Sequence, residues 1–436
     1  MDGIRAASSA ALHFPRSPNL FQRALRSWDE IIPYNATHAI SIDLPFEEEA
    51  LRNAVHGALT STGFSCTRNS ISLRKGHAEG ELIEQLRSTF EEELNQRFHP
   101  APDAVPFRFF WLPAPEGGFV LGLTYHHVIA SADCVCWMFE TLVSLYRGEE
   151  DALTTPGIPH RAAPYSRMFF REWKRFPRWF AGIPRFLKQI KRQARLSGKH
   201  EKGAQCRIHA CPLSPSQKDW IHAKAQETGA TVNDVLMGLL LLSIGKELPH
   251  RFSQGRRNEL AIGSIINIRG HFGPAHERNF GVYLALFSVS HPLSSLDSPE
   301  DLFRRIQKQT AEVKEGRLYL RNLFLVGFGT FFRRFLHEEQ RAQVNQKNFP
   351  LAAGITNFFV DRFQGRLRDL PISHYWRAVS VSPATPMVVS VTTFRDETCL
   401  MFIRNESLYS ASETESVISR ITAMMAEEKR PAVSEH

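Results

Sequence analysis

GLTYHHVIASADCVCWMFETLVSLYRGEE, residues 122–150, carries the pattern on which the reading of the chain turns. An apolar run ends at His126 and His127. A short loop follows, and apolar residues at helical spacing resume from Asp133 to Tyr146. Side chains at a strand end can face a cleft. A neutral imidazole placed there can take a proton from an alcohol or amine near neutral pH, because its unperturbed pKa is about 6.5. Two adjacent histidines equally suit core or surface packing, so the pair alone leaves both readings open.

The flanking sequence alternates strands and helices. HAISIDL (38–44) has the pattern of a strand with a buried face, and FEEEALRNAVHGAL (46–59) places apolar residues at helical intervals. Residues 107–112 and 119–125, joined by the turn-rich PAPEGG (113–118), predict a β-hairpin. The second half repeats this grammar. A strand at 206–212 precedes SPSQ (214–217), a capping box, and ATVNDVLMGLLLLSIGKEL (230–248) predicts a buried helix capped by Thr231 or Asn233. Strands follow at about 259–268, 281–290, 352–360, 386–394 and 397–404, and helices at about 299–317, 319–337 and 411–427. Two α/β lobes are the expected architecture.

The 436 residues suffice for such a pair, with 43% hydrophobic and 22% charged residues excluding collagenous and disordered classes. The net charge of +8 is local. Residues 167–199 hold eleven cations and one acid, Glu172, or +10, which leaves −2 for the rest. In this segment Pro177 and Pro184 mark breaks between short helices, and Phe169, Phe170, Trp173, Phe176, Trp179, Phe180 and Phe186 interleave with the cations. Rings and cations together suit an anionic membrane surface. Nucleic acid is the weaker competitor, and a linker packing its rings on the protein is the plainest alternative. LYLRNLFLVGFGTFFRRFLHEEQR (318–341) repeats the composition more weakly.

No apolar run reaches the ~20 residues of a membrane span, and the N-terminus has no secretory apolar core, so a cytoplasmic location is expected, with peripheral membrane contact through 167–199. The six cysteines match no zinc pattern, and no metal site is expected.

Tyr125 to Trp137 resembles the HHxxxDG region of the acyltransferase superfamily that contains nonribosomal-peptide condensation domains, wax ester synthase/diacylglycerol acyltransferases and chloramphenicol acetyltransferase. Three further segments are similar in the same order: WDEIIPYNATHAISIDLPFEEEALRNAVHGAL (28–59), GATVNDVLMGLLLLSI (229–244) and IGSIINIRGHFGPAHERNFGVYLALFSV (262–289). The resemblance implies two chloramphenicol-acetyltransferase-like lobes with mixed sheets and an active-site tunnel between them. Residues 1–160 would form the lobe carrying the histidines, 161–205 the basic aromatic linker, and 206–436 the second lobe.

It also implies an acyltransferase that moves an acyl group from a thioester, acyl-CoA as co-substrate rather than cofactor, to a hydroxyl or amine of a small-molecule or lipid acceptor, in lipid or secondary-metabolite biosynthesis. His127 would be the general base and His126 mainly structural. Two alternatives stand beside this: a free-standing condensation enzyme taking its donor from an acyl-carrier protein, and a non-catalytic homologue binding lipid or a partner.

The chain departs from the motif. Ser131 and Ala132 occupy the Asp and Gly positions, and the next carboxylate is Asp133. In the family the motif Asp organises the loop through an arginine, and Thr60 falls where that arginine is expected, which would mean that both members of the ion pair have been replaced. Otherwise Asp133 takes over by a local shift, or merely caps the following helix. Candidate oxyanion or substrate contacts are Asn267, Thr356 and Asn357. Arg269 would orient a loop, meet a donor phosphate, or simply lie at the surface.

Overall fold

The computed structural model describes residues 18–426 apart from 65, 78, 99–104, 115–116, 150–164, 202, 254, 277, 294–297, 334–349 and 363–365. The first half supplies α1 (Leu20–Asp29), β1 (Asn35–Ile42), α2 (Glu48–Ser61), β2 (Leu73–Lys75), α3 (Leu82–Asn95), β3 (Phe107–Pro113), β4 (Phe119–His126) and α4 (Ala132–Tyr146). Short helices α5 (Tyr165–Arg171), α6 (Phe176–Ala181) and α7 (Ile183–Arg192) follow, with Pro177 and Pro184 in the first turns of α6 and α7, where a missing N–H costs nothing. The second half supplies β5 (Cys206–Pro212), α8 (Pro215–Thr228), α9 (Val232–Glu247), β6 (Glu259–Asn267), β7 (Leu284–Pro292), α10 (Pro299–Glu315), α11 (Leu318–Arg333), β8 (Ala353–Phe359), β9 (Ile372–Val379), β10 (Met387–Phe394), β11 (Glu397–Asn405) and α12 (Ala411–Ala426). The end of the helix expected at 319–337 lies outside the described residues, as do residue 427 and the linker residues 161–164.

Two mixed sheets organise these elements. The first has strand order β2-β3-β4-β1-β9 and the second β5-β11-β10-β8-β6-β7. The predicted hairpin is β3 and β4, antiparallel from Phe107↔Tyr125 to Pro113↔Phe119. Strand β9 comes from the second half of the chain yet pairs antiparallel with β1, from Ala36↔Val379 to Ile42↔Ile372. In the other direction, α3 of the first half covers the edge of β5. Asn95 Oδ1 accepts from the Cys206 N–H at 2.7 Å and Glu91 Oε1 from the Ile208 N–H at 2.7 Å. These side chains occupy edge donors that would otherwise invite a foreign strand.

Helix α9 shows how sequence becomes packing. Thr231 is its cap, closing a capping box with Asp234, and its residues from Asp234 to Gly245 are buried in the core of the second sheet. The one glycine inside its apolar run, Gly238, lies against Phe303 of α10; an added Cβ would sit 2.4 Å from that ring. Helix α8 opens with the predicted Ser214 and Gln217 box.

The aromatic segment divides its rings. Tyr165, Met168 and Trp179 are buried against Tyr319, Leu320 and Leu323 of α11, and Trp179 Nε1 donates to the Gly316 carbonyl at 3.1 Å. Phe169 and Phe176 pack against this cluster, while three rings face outward: Phe170 is 78% exposed, Trp173 61% and Phe180 52%, with Phe324 of α11 44%. Among the described residues no single helix is long and apolar enough to cross a membrane.

Candidate active site

Between the two sheets lies a cavity of ≈ 1260 Å³. Its wall draws on β1, β4 and β9 of the first sheet and β6, β8 and β10 of the second, with α1, α7, α8, α9 and α11 closing the sides. His127, Ser131, Asp133, Asn267, Thr356 and Asn357 all lie on this wall. His126 does not.

The chain turns sharply after β4, and the turn fixes both imidazoles. The His127 backbone N–H donates to the Tyr34 carbonyl at 3.0 Å. Its ring stacks on Tyr34 at 5.6 Å and meets the edge of Tyr125 at 5.8 Å. Nδ1 lies 3.0 Å from the Ala130 carbonyl, which can only accept, so Nδ1 carries the proton and Nε2 keeps its lone pair. Burial pushes His127 down to about 4; the Ala130 hydrogen bond opposes this, and the charges of Arg377 and His126 reinforce it. The ring is therefore neutral at pH 7 with a basic nitrogen available.

His126 points the other way. Its Nδ1 accepts from the Val128 N–H at 3.3 Å, which leaves the Nε2 proton towards Asp29 Oδ2 at 3.4 Å. Burial tends to raise the Asp29 carboxyl, but the hydrogen bond and charge of His126 hold it below its ordinary value. His126 thus ties the end of β4 to the end of α1.

Ser131 is the N-cap residue of α4, and Asp133 is its second helical residue rather than its cap. Asp133 Oδ2 accepts from Arg269 Nε at 2.6 Å, and both side chains are buried. Ser131 Oγ lies against Asp133 Oδ1 and accepts from Arg269 Nη2 at 3.2 Å. Arg269 also donates to the carbonyls of His276 and Asn279, and its guanidinium lies 4.3 Å from the Tyr283 ring and 5.2 Å from that of Trp137. The expectation of a replaced ion pair is therefore corrected: Thr60 is exposed on α2, with Oγ1 donating to the His56 carbonyl, and the buried arginine is Arg269. The carboxylate two residues after Ser131 thus ties the start of α4 to the chain that follows β6.

Of the remaining candidates, Asn267 and Asn357 are exposed to the cavity, and Asn267 Oδ1 accepts from the Arg269 N–H at 2.9 Å. Thr356 Oγ1 is 3.3 Å from Arg377 Nη2. Cys134 and Cys136 are buried; Sγ of Cys134 lies 3.4 Å from the Gly281 carbonyl and Sγ of Cys136 lies 3.5 Å from the Tyr375 hydroxyl. Burial pushes both thiols up, so neither has the thiolate character of a nucleophile.

Sequence reasoning missed a polar cluster beside His127. His38 Nδ1 is 2.6 Å from the Tyr375 hydroxyl and its Nε2 3.4 Å from the Tyr125 hydroxyl. Arg377 stands opposite His38 across the β1–β9 pair. The unusual His and Arg within the apolar runs 35–42 and 372–379 were the available signal.

No protein-family model matches the chain, and no curated protein matches it. Solved structures share its fold. The first condensation domain of the calcium-dependent antibiotic synthetase, in complex with a substrate analogue, aligns over 96% of each chain with a TM-score of 0.67 and 13% identity. A trichothecene 15-O-acetyltransferase from Fusarium sporotrichioides aligns over 93% of each chain with a TM-score of 0.66 and 11% identity. The X-domain from teicoplanin biosynthesis, in its complex with OxyB, aligns over 96% of this chain and 94% of that one, with a TM-score of 0.55 and 16% identity. The protein has the two-lobed, mixed α/β fold of condensation domains and related acyltransferases.

Proposed function

We propose that the protein is an acyltransferase in which His127 is the general base. The observation that carries this reading is the fixed tautomer of His127, a neutral imidazole on the wall of the cavity between the sheets whose Nδ1 proton is engaged by Ala130. The fold shared with a condensation domain and an acetyltransferase supports it.

In this reading an acceptor hydroxyl or amine gives its proton to Nε2 as its heteroatom attacks the thioester carbonyl. The tetrahedral intermediate collapses, the C–S bond breaks, and the departing thiolate takes the proton back from the imidazolium. No covalent bond to the enzyme forms. Alignment of two bound reactants is worth up to roughly 7 to 11 kcal/mol in ideal cases, so the cavity itself is part of the catalyst. The side-chain amides of Asn267 and Asn357 and the hydroxyl of Thr356 are the proposed polar contacts to substrate or oxyanion. Asp133, Ser131 and Arg269 hold the loop, and His126 supports the strand end.

The proposed donor is acyl-CoA. A carrier-protein thioester is the second form of the reading, favoured by the condensation-domain likeness. A non-catalytic binding role is the third, favoured by the likeness to an X-domain solved with OxyB. The acceptor is proposed to be lipid-like and reached at a membrane surface. Phe170 and Phe180 project from α5 and α6, Trp173 from the turn between them and Phe324 from α11, while Phe186, Ile190 and Val326 of α7 and α11 line the cavity.

The deciding experiment measures thiol release from a panel of acyl-CoAs with pooled alcohols, amines and lipids, using wild type and His127→Ala. Release that depends on both His127 and an acceptor is expected. Silence with CoA thioesters but transfer from acyl-carrier protein would select the second form. Silence with both, from folded protein, would leave the binding role.

A further inference from the structure

Arg377 occupies a position that the acyl-transfer chemistry does not use. Opposed residues of an antiparallel pair share a face, so Arg377 and His38 project to the same side of the first sheet. Tyr125 reaches His38 on that side, and the His127 ring meets Tyr125. Arg377 and His127 thus share one wall of the cavity, and among the described residues Arg377 is the buried arginine that lines it.

Its environment is incomplete. Arg377 is 7% exposed and lies over Phe358 at 4.9 Å. Nη2 alone makes its hydrogen bonds, to the Thr356 carbonyl at 3.2 Å, Thr356 Oγ1 at 3.3 Å and the Val391 carbonyl at 3.2 Å. Nε is buried with no acceptor among the described residues. The ionisable groups that act on it are Tyr375, Tyr125 and Cys136, none of which is a carboxylate, and burial lowers its pKa. His38 and His127, its neighbours, are held neutral by burial. By contrast, Asp133 closes Arg269. A guanidinium out of water with no counter-ion among the described residues is unfavourable, and Nη1, which makes no hydrogen bond to them, is the donor left to meet a carboxylate. A clamp between strands needs only the Nη2 contacts; it gives no reason for a permanent charge at the cavity wall.

We propose that Arg377 anchors a subsite for a carboxylate carried by one of the substrates, so that the enzyme selects an acidic acceptor or an acyl group with a terminal acid. The placement rests on the acyl-transfer reading of the cavity, and the test separates the two. Binding is measured calorimetrically, without turnover, for two matched pairs: 12-hydroxydodecanoate against its methyl ester, and glutaryl-CoA against pentanoyl-CoA. Wild type is expected to prefer the acid of one pair by about tenfold or more, the scale of a hydrogen bond to a charged group. The pair that shows the preference identifies acceptor or donor as its source. Arg377→Gln is expected to abolish the preference while binding the neutral member as before, and Arg377→Lys to restore part of it.

Equal binding of acid and neutral partner in both pairs by wild type would overturn the subsite, as would an acid preference that survives in Arg377→Gln. If Arg377→Gln does not fold, the wild-type pairs and Arg377→Lys decide. Absence of thiol release alongside a clear acid preference would instead overturn the transfer chemistry and leave the subsite standing.

Discussion

The Asp133 carboxylate and the Arg269 guanidinium meet at 2.6 Å, buried, across the two halves of the chain. Removing one member of a buried pair strands the other charge and typically costs 3–5 kcal/mol, roughly, whereas removing both is far milder. Asp133→Ala should therefore lower the urea midpoint strongly, and Asp133→Leu with Arg269→Met should recover most of the loss. Equal destabilisation by the single and double variants would show that the pair is not the organising contact of this loop.

His127 and His126 should separate cleanly. His127→Ala is expected to reduce turnover by about a hundredfold or more with little change in unfolding, the usual scale of a general base. His126→Ala, which loses the contact to Asp29, should act mainly on stability. Wild-type-like turnover in His127→Ala would remove the imidazole from the mechanism.

The acid limb of activity provides an independent check. With His127 near 4, kcat/KM should stay nearly flat from pH 7.5 to pH 5.5. An unperturbed imidazole would lose about tenfold over that interval. A midpoint near 6.5 would mean that substrate or solvent rehydrates the ring.

Stability should move with pH where that activity does not. His38 lies well below 6.5, and His127 and His200 near 4, because burial disfavours their charged forms. The unfolded chain binds protons below about 6.5 that the folded chain refuses, so this stability is present above that pH and lost as pH falls towards the folded values. Each group contributes up to about 1.4 kcal/mol per pH unit in that window. Denaturant unfolding at pH 7.5 and 5.5 measures the change, and an unchanged midpoint would contradict the neutral burial of these rings.

The outward rings give a membrane prediction. Co-sedimentation with phosphatidylserine vesicles should exceed that with phosphatidylcholine and weaken with salt. Replacing Phe170 and Trp173 by Ser should reduce it by tenfold or more, since each ring buried is worth roughly 1.5–3 kcal/mol. Binding unaffected by either change would return the segment to a solvated face of the protein.

What the sequence disclosed follows from where its signals are local. The strand ending at His126 and the helix from 132 to 146 are visible because apolar period changes there from two to three and a half. Helix α9 is visible because both its cap and its buried run are contiguous. Strand β9 was not, since ISHYWRAV places His374 and Arg377 where an apolar pattern is sought, and Arg377 is buried for a reason that lies in other strands. Helix α1 was missed although Asn19 and Gln22 form a capping box. Arg269 could be named as a candidate but not paired, because nothing near residue 133 in the chain encodes a partner 136 residues away.

The exchange of β9 into the first sheet also bears on how the molecule can be dissected. Every residue of β1 is buried, and one of its two edges is covered only by a strand that is synthesised more than 300 residues later. A fragment ending in the basic segment would present that edge, from Asn35 to Ile42, as an open apolar template for other chains. Expression of the first half alone should thus yield aggregates, and co-expression with the second half is the way to recover it.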